Sequence, residues 1–323
     1  MAQTLDTLIE TFTLPGALHF DEPHPGMTRA RITTPACTAE LYLQGAHLAT
    51  WQPAGAAPVL YLSPASHFAP GKAIRGGIPI IFPWFGARTP EIAGNCAVTA
   101  EASPSHGFAR TEPWEMQFAA LAGEDLRLVL TLAASDASRT YGFDHFRVIA
   151  EFSLGSTLTV RLTLVNEGDT PITVEEALHS YFAVSEAAKV EIAGLEGAEY
   201  LDKTDHFKRK RQATEPLVFA AETDRLYPNT VSEVTLQDPG THAGAAHFEA
   251  RRVVVRKTNS RTTVVWNPWE QLSAKLADLG AGAYRHFACV ETANAAADRI
   301  PLAPGEAHTM ELRVLCEPAA AGR

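Results

Sequence analysis

Alternation with a period of two constrains this chain more than any other feature. Segments such as Leu126–Ala133 and Thr157–Asn166 carry an apolar residue at every second position, so as strands each would bury one face and wet the other. The same pattern marks Arg29–Thr34, Thr38–Leu43, His145–Leu154, Ile172–Tyr181, Arg252–Thr258, Thr262–Trp266, Phe287–Glu291 and Thr309–Cys316. Turn formers separate many of them, among them Gly155-Ser156 and the run Asn166-Glu167-Gly168-Asp169. Helical spacing is confined to a stretch where Leu272, Leu276 and Leu279 share a face and Gly280 supplies a stop. There is no βαβ alternation, no Gly-rich phosphate loop and no long repeat. One large, mostly antiparallel all-β domain over residues 1–323 is therefore expected.

Composition narrows the partners. A hydrophobic share of 46% supports a substantial core, and a net charge of −10 argues against broad binding to nucleic acid or anionic membrane. An anionic small molecule is still admissible, since a pocket needs only a few local cations. Cys37, Cys96, Cys289 and Cys316 are widely spread without a CxxC pair, which suits a reducing compartment better than a disulfide scaffold or a zinc site. The N-terminal stretch lacks a basic start and an apolar signal core, and no run is long enough to span a bilayer, so the cytoplasm is expected.

The segment AIRGGIPIIFPWFGA, residues 73–87, breaks the pattern. Its apolar run resembles a buried strand, but Pro79 and Pro83 have no N–H to give a ladder. Gly76 and Gly77 permit close backbone approach, so the stretch reads as a rigid loop holding Arg75 toward something. Three polar clusters also interrupt apolar strand ends: His106 and Arg110 in SHGFAR, Glu175 and His179 in EEALHSYF, and Glu291 in FACVETAN. A carboxylate ending a buried strand is costly unless paired or functional. Each cluster also has a plain structural reading: Arg110 paired with Glu112, or Glu291 with Arg285 or His286. No nucleophile elbow, HExxH helix or Walker loop occurs, which leaves acid–base chemistry by histidine and carboxylate as the economical enzymatic option.

Taken in order, RGGIPIIFPWFG, HGFAR, ALHSYF, LDKTD, ETDRLY, VVWNPW and CVE resemble the hexose-6-phosphate mutarotases, a branch of the aldose 1-epimerase superfamily. The resemblance runs from about Arg75 to Glu291. It implies a large antiparallel β-sandwich of the galactose mutarotase-like type with few short helices. It also implies interconversion of the α and β anomers of an aldohexose 6-phosphate, with no metal and no cofactor. On this resemblance His179 is the general acid and Glu291 the general base; Ser105, His106 and Asp202 meet the sugar, and Arg75 and Arg110 meet the 6-phosphate. Lys203 is a further candidate cation. Ser180 stands where the family often has threonine, and Ser105 where some relatives carry a longer glutamine. Asp224 and Arg225 match in sequence, and a structural ion pair is the expected role for them. A sugar phosphate is the expected partner, with neither nucleic acid nor membrane, and a monomer is expected. The alternatives are an epimerase of unphosphorylated sugars, which would leave two pocket arginines without an anion, and a non-catalytic carbohydrate-binding module. The module has no need of His179 and Glu291 together. A glycoside hydrolase would need a second placed carboxylate, and no motif supplies one.

Overall fold

The computed structural model describes residues 3–92, 98–99, 101–241 and 249–319. Two eight-stranded sheets dominate, and every strand pairing among the described residues of both is antiparallel. The first runs Glu191–Ala193, Val234–Asp238, Arg251–Thr258, Ala307–Pro318, Thr157–Asn166, Phe146–Leu154, Asp125–Ala133 and Glu115–Ala122. The second runs Lys208–Arg211, Glu199–Asp202, Thr223–Tyr227, Thr262–Asn267, Phe287–Asn294, Glu176–Leu178 and Ile80–Ile81, with Tyr181–Ala183 also paired to the Phe287 strand. A four-stranded sheet, Leu18–His24, Met27–Thr33, Cys37–Tyr42 and His47–Pro53, completes the wall beside them.

The alternation does what the sequence demands. Leu126, Leu128 and Leu130 are fully buried, as are Leu158, Val160 and Leu162 on the strand two places away. Val265 and Val290 of the second sheet join Val253, Leu312 and Val314 of the first in one buried cluster, so the two sheets pack inner face to inner face. This is the expected antiparallel sandwich.

Some of these expectations change in detail. The segment Ile172–Tyr181 is not one strand but three, Ile172–Val174, Glu176–Leu178 and Tyr181–Ala183. The first pairs with Ile300–Leu302 and the other two with the Phe287 strand, so the chain changes partner at Glu175. At Ser180 the backbone N–H turns back to Leu178 O, interrupting the ladder beside His179. The basic run Lys208–Arg211 is an exposed edge strand, and a turn lies before it, where His206 and Phe207 take positive φ of 53° and 59°. The late helix is shorter than its leucine spacing suggests, Trp269–Lys275, and a second helix, Leu5–Phe12, is capped by Thr4. Cys96 lies outside the described residues.

Candidate active site

The register of one ladder assembles the centre. Leu178 pairs with Thr292 and Tyr181 with Cys289, which brackets His179 directly opposite Glu291. Their side chains meet, His179 Nε2 lying 3.3 Å from Glu291 Oε1. Neighbouring strands put Asp224 and Trp266 in line with Cys289, and since side chains alternate, Asp224, Trp266 and Glu291 all leave the same outer face of this sheet. Trp266 stands edge-on to His179 at 5.9 Å between ring centroids.

The proline-broken loop docks on the other side of His179. Its prolines serve as acceptors: Pro79 O takes the His179 N–H at 3.0 Å, Gly77 O the Tyr181 N–H at 2.9 Å, and Pro83 O the Glu175 N–H at 2.9 Å. Each proline thus contacts the segment around His179 through its carbonyl, the hydrogen-bonding group that proline keeps. Gly76 and Gly77 are obligatory, with φ of 113° and 60°, and a β-carbon at either would fall 2.4 Å and 2.2 Å from the carbonyls of Tyr61 and Leu48. The Glu175 carboxylate fixes the far end of the loop by accepting from the N–H groups of Phe85 and Ala296.

Arg75 leaves this loop with Nη1 on the Tyr181 hydroxyl at 3.1 Å and Nε on Asp278 Oδ2 at 3.0 Å. Arg110 folds over its own loop, Nη2 donating to the Ser105 carbonyl at 2.7 Å, while its Nε is buried and unpartnered. The Ser105 hydroxyl side is exposed; only its carbonyl is engaged with Arg110. His106 sits in the left-handed region at φ 65°, a costly conformation for a residue with a β-carbon. Its Nδ1 accepts from Gly86 N–H at 3.2 Å, so in the neutral ring Nε2 carries the proton. The ring meets that of His179 edge-on at 5.6 Å. Lys203 pairs with Asp224 at 2.8 Å and lies over the Phe85 ring.

Of the residues singled out in the sequence, the structure brings together His179, Glu291, His106, Arg75 and Arg110, with Lys203 beside them. Asp202 is not among them. It is paired with Arg225, so it leaves the opposite face of the sheet from Asp224, and its carboxylate accepts from Thr204 and from Lys210 at 2.8 Å. Asp224 lies on the face of His179 and Glu291 instead; one of its oxygens holds Lys203 and the other is buried without a partner. Arg225, expected to pair with it, donates to Gln212 and stacks on Tyr200. The plain reading of Glu291 as partner to Arg285 or His286 also yields, since its contact is His179.

Electrostatics set the proton inventory. Burial pushes the Glu291 carboxyl well above its ordinary value, Asp224 adds to the rise, and Lys203 opposes it. Burial pulls the His179 imidazole well below its ordinary value, and Arg75, Arg110 and Lys203 pull it further. His106 is lowered too, by burial first and then by the charge of His179 and the same cations. Both shifts favour the uncharged forms, a neutral imidazole facing a carboxylic acid, so the pair is set to share one proton between two sites. Such a pair can give a proton to one oxygen and take one from another without help from solvent. Among the described residues no group of three or more His, Cys, Asp or Glu is placed to hold a metal, and no helix is long and apolar enough to cross a membrane.

Residues 28–315 match the Aldose 1-epimerase family. The chain belongs to that family. Two curated relatives, both provisionally named glucose-6-phosphate 1-epimerase, come from Salmonella typhimurium and Cenchrus ciliaris. The first is 34% identical over 81% of this chain and 82% of its own, and the second 33% over 84% and 78%. Among solved structures, a Salmonella typhimurium protein provisionally described as a mutarotase (YeaD) superposes with a TM-score of 0.83 at 29% identity, over 95% of this chain and 96% of its own. This aldose 1-epimerase family member thus carries its buried histidine–glutamate pair on a fold shared almost end to end with a mutarotase structure.

Proposed function

We propose that the chain equilibrates the α and β anomers of D-glucose 6-phosphate and related aldohexose 6-phosphates. The observation that carries this reading is the His179–Glu291 opposition inside a rim of Arg75, Arg110 and Lys203. The acid–base pair serves the anomeric centre, and the arginines give an anionic tail somewhere to sit.

Opening the pyranose ring requires a proton on the ring oxygen and loss of one from the anomeric hydroxyl. In the working arrangement His179 is imidazolium and Glu291 carboxylate. His179 gives its proton to the ring oxygen as the C1–O5 bond breaks, and Glu291 takes the proton of O1 as the aldehyde forms. Rotation of the C1 carbon presents its other face, and closure reverses both transfers. His106 Nε2–H is free to hydrogen-bond a sugar oxygen, and the unpartnered oxygen of Asp224 is a better acceptor for a sugar hydroxyl than Asp202, which is already engaged. Among the described residues Cys37, Cys289 and Cys316 are free thiols, which fits a reducing, cytoplasmic setting.

The test is anomer exchange by magnetisation-transfer NMR with glucose 6-phosphate, free glucose and free galactose in parallel. Catalysed exchange that strongly favours the phosphorylated sugar is the expected result. Equal or better exchange of the free sugars would overturn the phosphate assignment, and no exchange above background with any of them would overturn the activity.

A further inference from the structure

Tyr181 joins the two ends of this site. Its ring stacks on the His179 imidazole at 4.9 Å and 15°, and its hydroxyl accepts from Arg75 Nη1 at 3.1 Å. The side chain is buried and held in place by Trp266 and Phe287, with ring centroids at 5.9 Å and 5.2 Å. Two residues only two positions apart in the chain therefore carry the acid and the support of the arginine. The backbone repeats the link, because the Tyr181 N–H donates to the carbonyl of Gly77 on the loop that bears Arg75.

The proton shared by His179 and Glu291 has two arrangements, neutral imidazole facing carboxylic acid or imidazolium facing carboxylate. Only the second performs ring opening in the required sense. The cations facing His179 are Arg75, Arg110 and Lys203, with the neutral His106 ring beside them, and all three cations favour the first arrangement. Lys203 is already offset by Asp224, and Arg75 in part by Asp278, whereas Arg110 has no carboxylate within ion-pair distance among the described residues. A dianion seated on Arg75 and Arg110 would offset the charge that disfavours the imidazolium.

We propose that Tyr181 is a positioning residue that ties the phosphate-binding arginine to the acid, so that the substrate's own 6-phosphate turns the His179–Glu291 pair into its working proton arrangement. The step is internal: the O–H bond of Glu291 breaks, an N–H bond forms on His179, and no net proton is taken up. The phosphate then contributes to turnover as well as to affinity, as remote binding groups do when their binding energy is expressed at the reacting centre. This inference rests on the sugar-phosphate reading above.

The experiment splits the substrate in two. Anomer exchange of free glucose is measured with the purified full chain, with and without phosphite dianion, across pH 5.5–8.5, in wild type and in Tyr181→Phe, which keeps the stacked ring and removes the acceptor. Phosphite is expected to raise kcat/KM for free glucose by about tenfold or more in wild type, and to move the alkaline end of acid-form activity to higher pH. In Tyr181→Phe this response is expected to be lost, and kcat for glucose 6-phosphate to fall by about tenfold with KM within about twofold. A wild type in which phosphite only inhibits, or changes nothing, overturns the proposal whatever the variant does. A Tyr181→Phe enzyme that keeps the phosphite response, or changes KM alone, overturns the role of Tyr181. Failure of wild type to turn over glucose 6-phosphate at all would instead overturn the underlying function, so the two failures are told apart.

Discussion

Among the described residues, two buried glutamates each face a histidine at nearly the same distance. Glu291 faces His179 at 3.3 Å, and Glu176, on the short strand just before His179, faces His308 of the other large sheet at 3.2 Å. Both carboxylates are essentially inaccessible, and each has one oxygen without a partner. Their surroundings diverge. Glu176 is also held by the Asn294 amide at 2.8 Å, and its hydrogen bond pushes the His308 imidazole upward. His179 is pulled the other way, by burial and by three cations. A glutamate beside a histidine is thus no more than a structural tie until a ring of positive charge unsettles where its proton rests.

The largest effect expected to separate the pairs is on turnover. Glu291→Gln should lower kcat by about 10²- to 10⁴-fold while sugar-phosphate binding persists, whereas Glu176→Gln should change kcat by no more than about twofold. Steady-state anomer exchange with both variants decides it, and equal losses would erase the contrast. Next is the choice of aspartate. Asp224→Asn should reduce kcat/KM by about tenfold, as a lost hydrogen bond to substrate does. Asp202→Asn should leave kinetics near wild type and cost roughly 1 kcal/mol of stability through its Lys210 and Thr204 contacts. An Asp202→Asn enzyme as crippled as Asp224→Asn would return the sugar contact to the inner face.

The smallest effect concerns stability against pH, where the two histidines should act with opposite sign. His308 has a raised folded value, so its stabilising contribution is complete below the unfolded value near 6.5 and is lost as pH climbs through the folded one. His179 has a depressed folded value, so its contribution is present above about 6.5 and is lost as pH falls through the folded one. Urea midpoints at pH 5.5 and 8 should therefore show His308→Gln losing more stability at the acid end and His179→Gln at the alkaline end. Parallel pH curves for the two variants would contradict the opposed environments.

Most of the scaffold was legible because alternation is local. Thr157–Asn166 has the bounds its sequence pattern implies, and Leu126–Ala133 needs one residue more. The meeting of His179 with Glu291 was anticipated for a different reason, the resemblance of LHSYF and CVE to a known family, since nothing local says that the two lie in register. Faces were harder to read. Whether Asp202 or Asp224 reaches the cleft depends on the pairing of Asp202 with Arg225, a cross-strand fact invisible in either segment alone. Tyr181 was visible only as an alternating aromatic; its link to Arg75 exists because two distant backbones are laced together. The Glu176–His308 pair left no signature, because its partners come from strands far apart in the chain.

That lacing has a mechanical meaning. With the carbonyls of Gly77 and Pro79 bonded to the amides of Tyr181 and His179, the arginine and the acid are mounted on one rigid frame rather than on opposing jaws. Such a frame is a gauge of fixed span. On the proposed reading, a sugar whose phosphate is one carbon nearer to or farther from its anomeric centre would not engage both ends at once, and the length of the substrate would be read before any bond is broken.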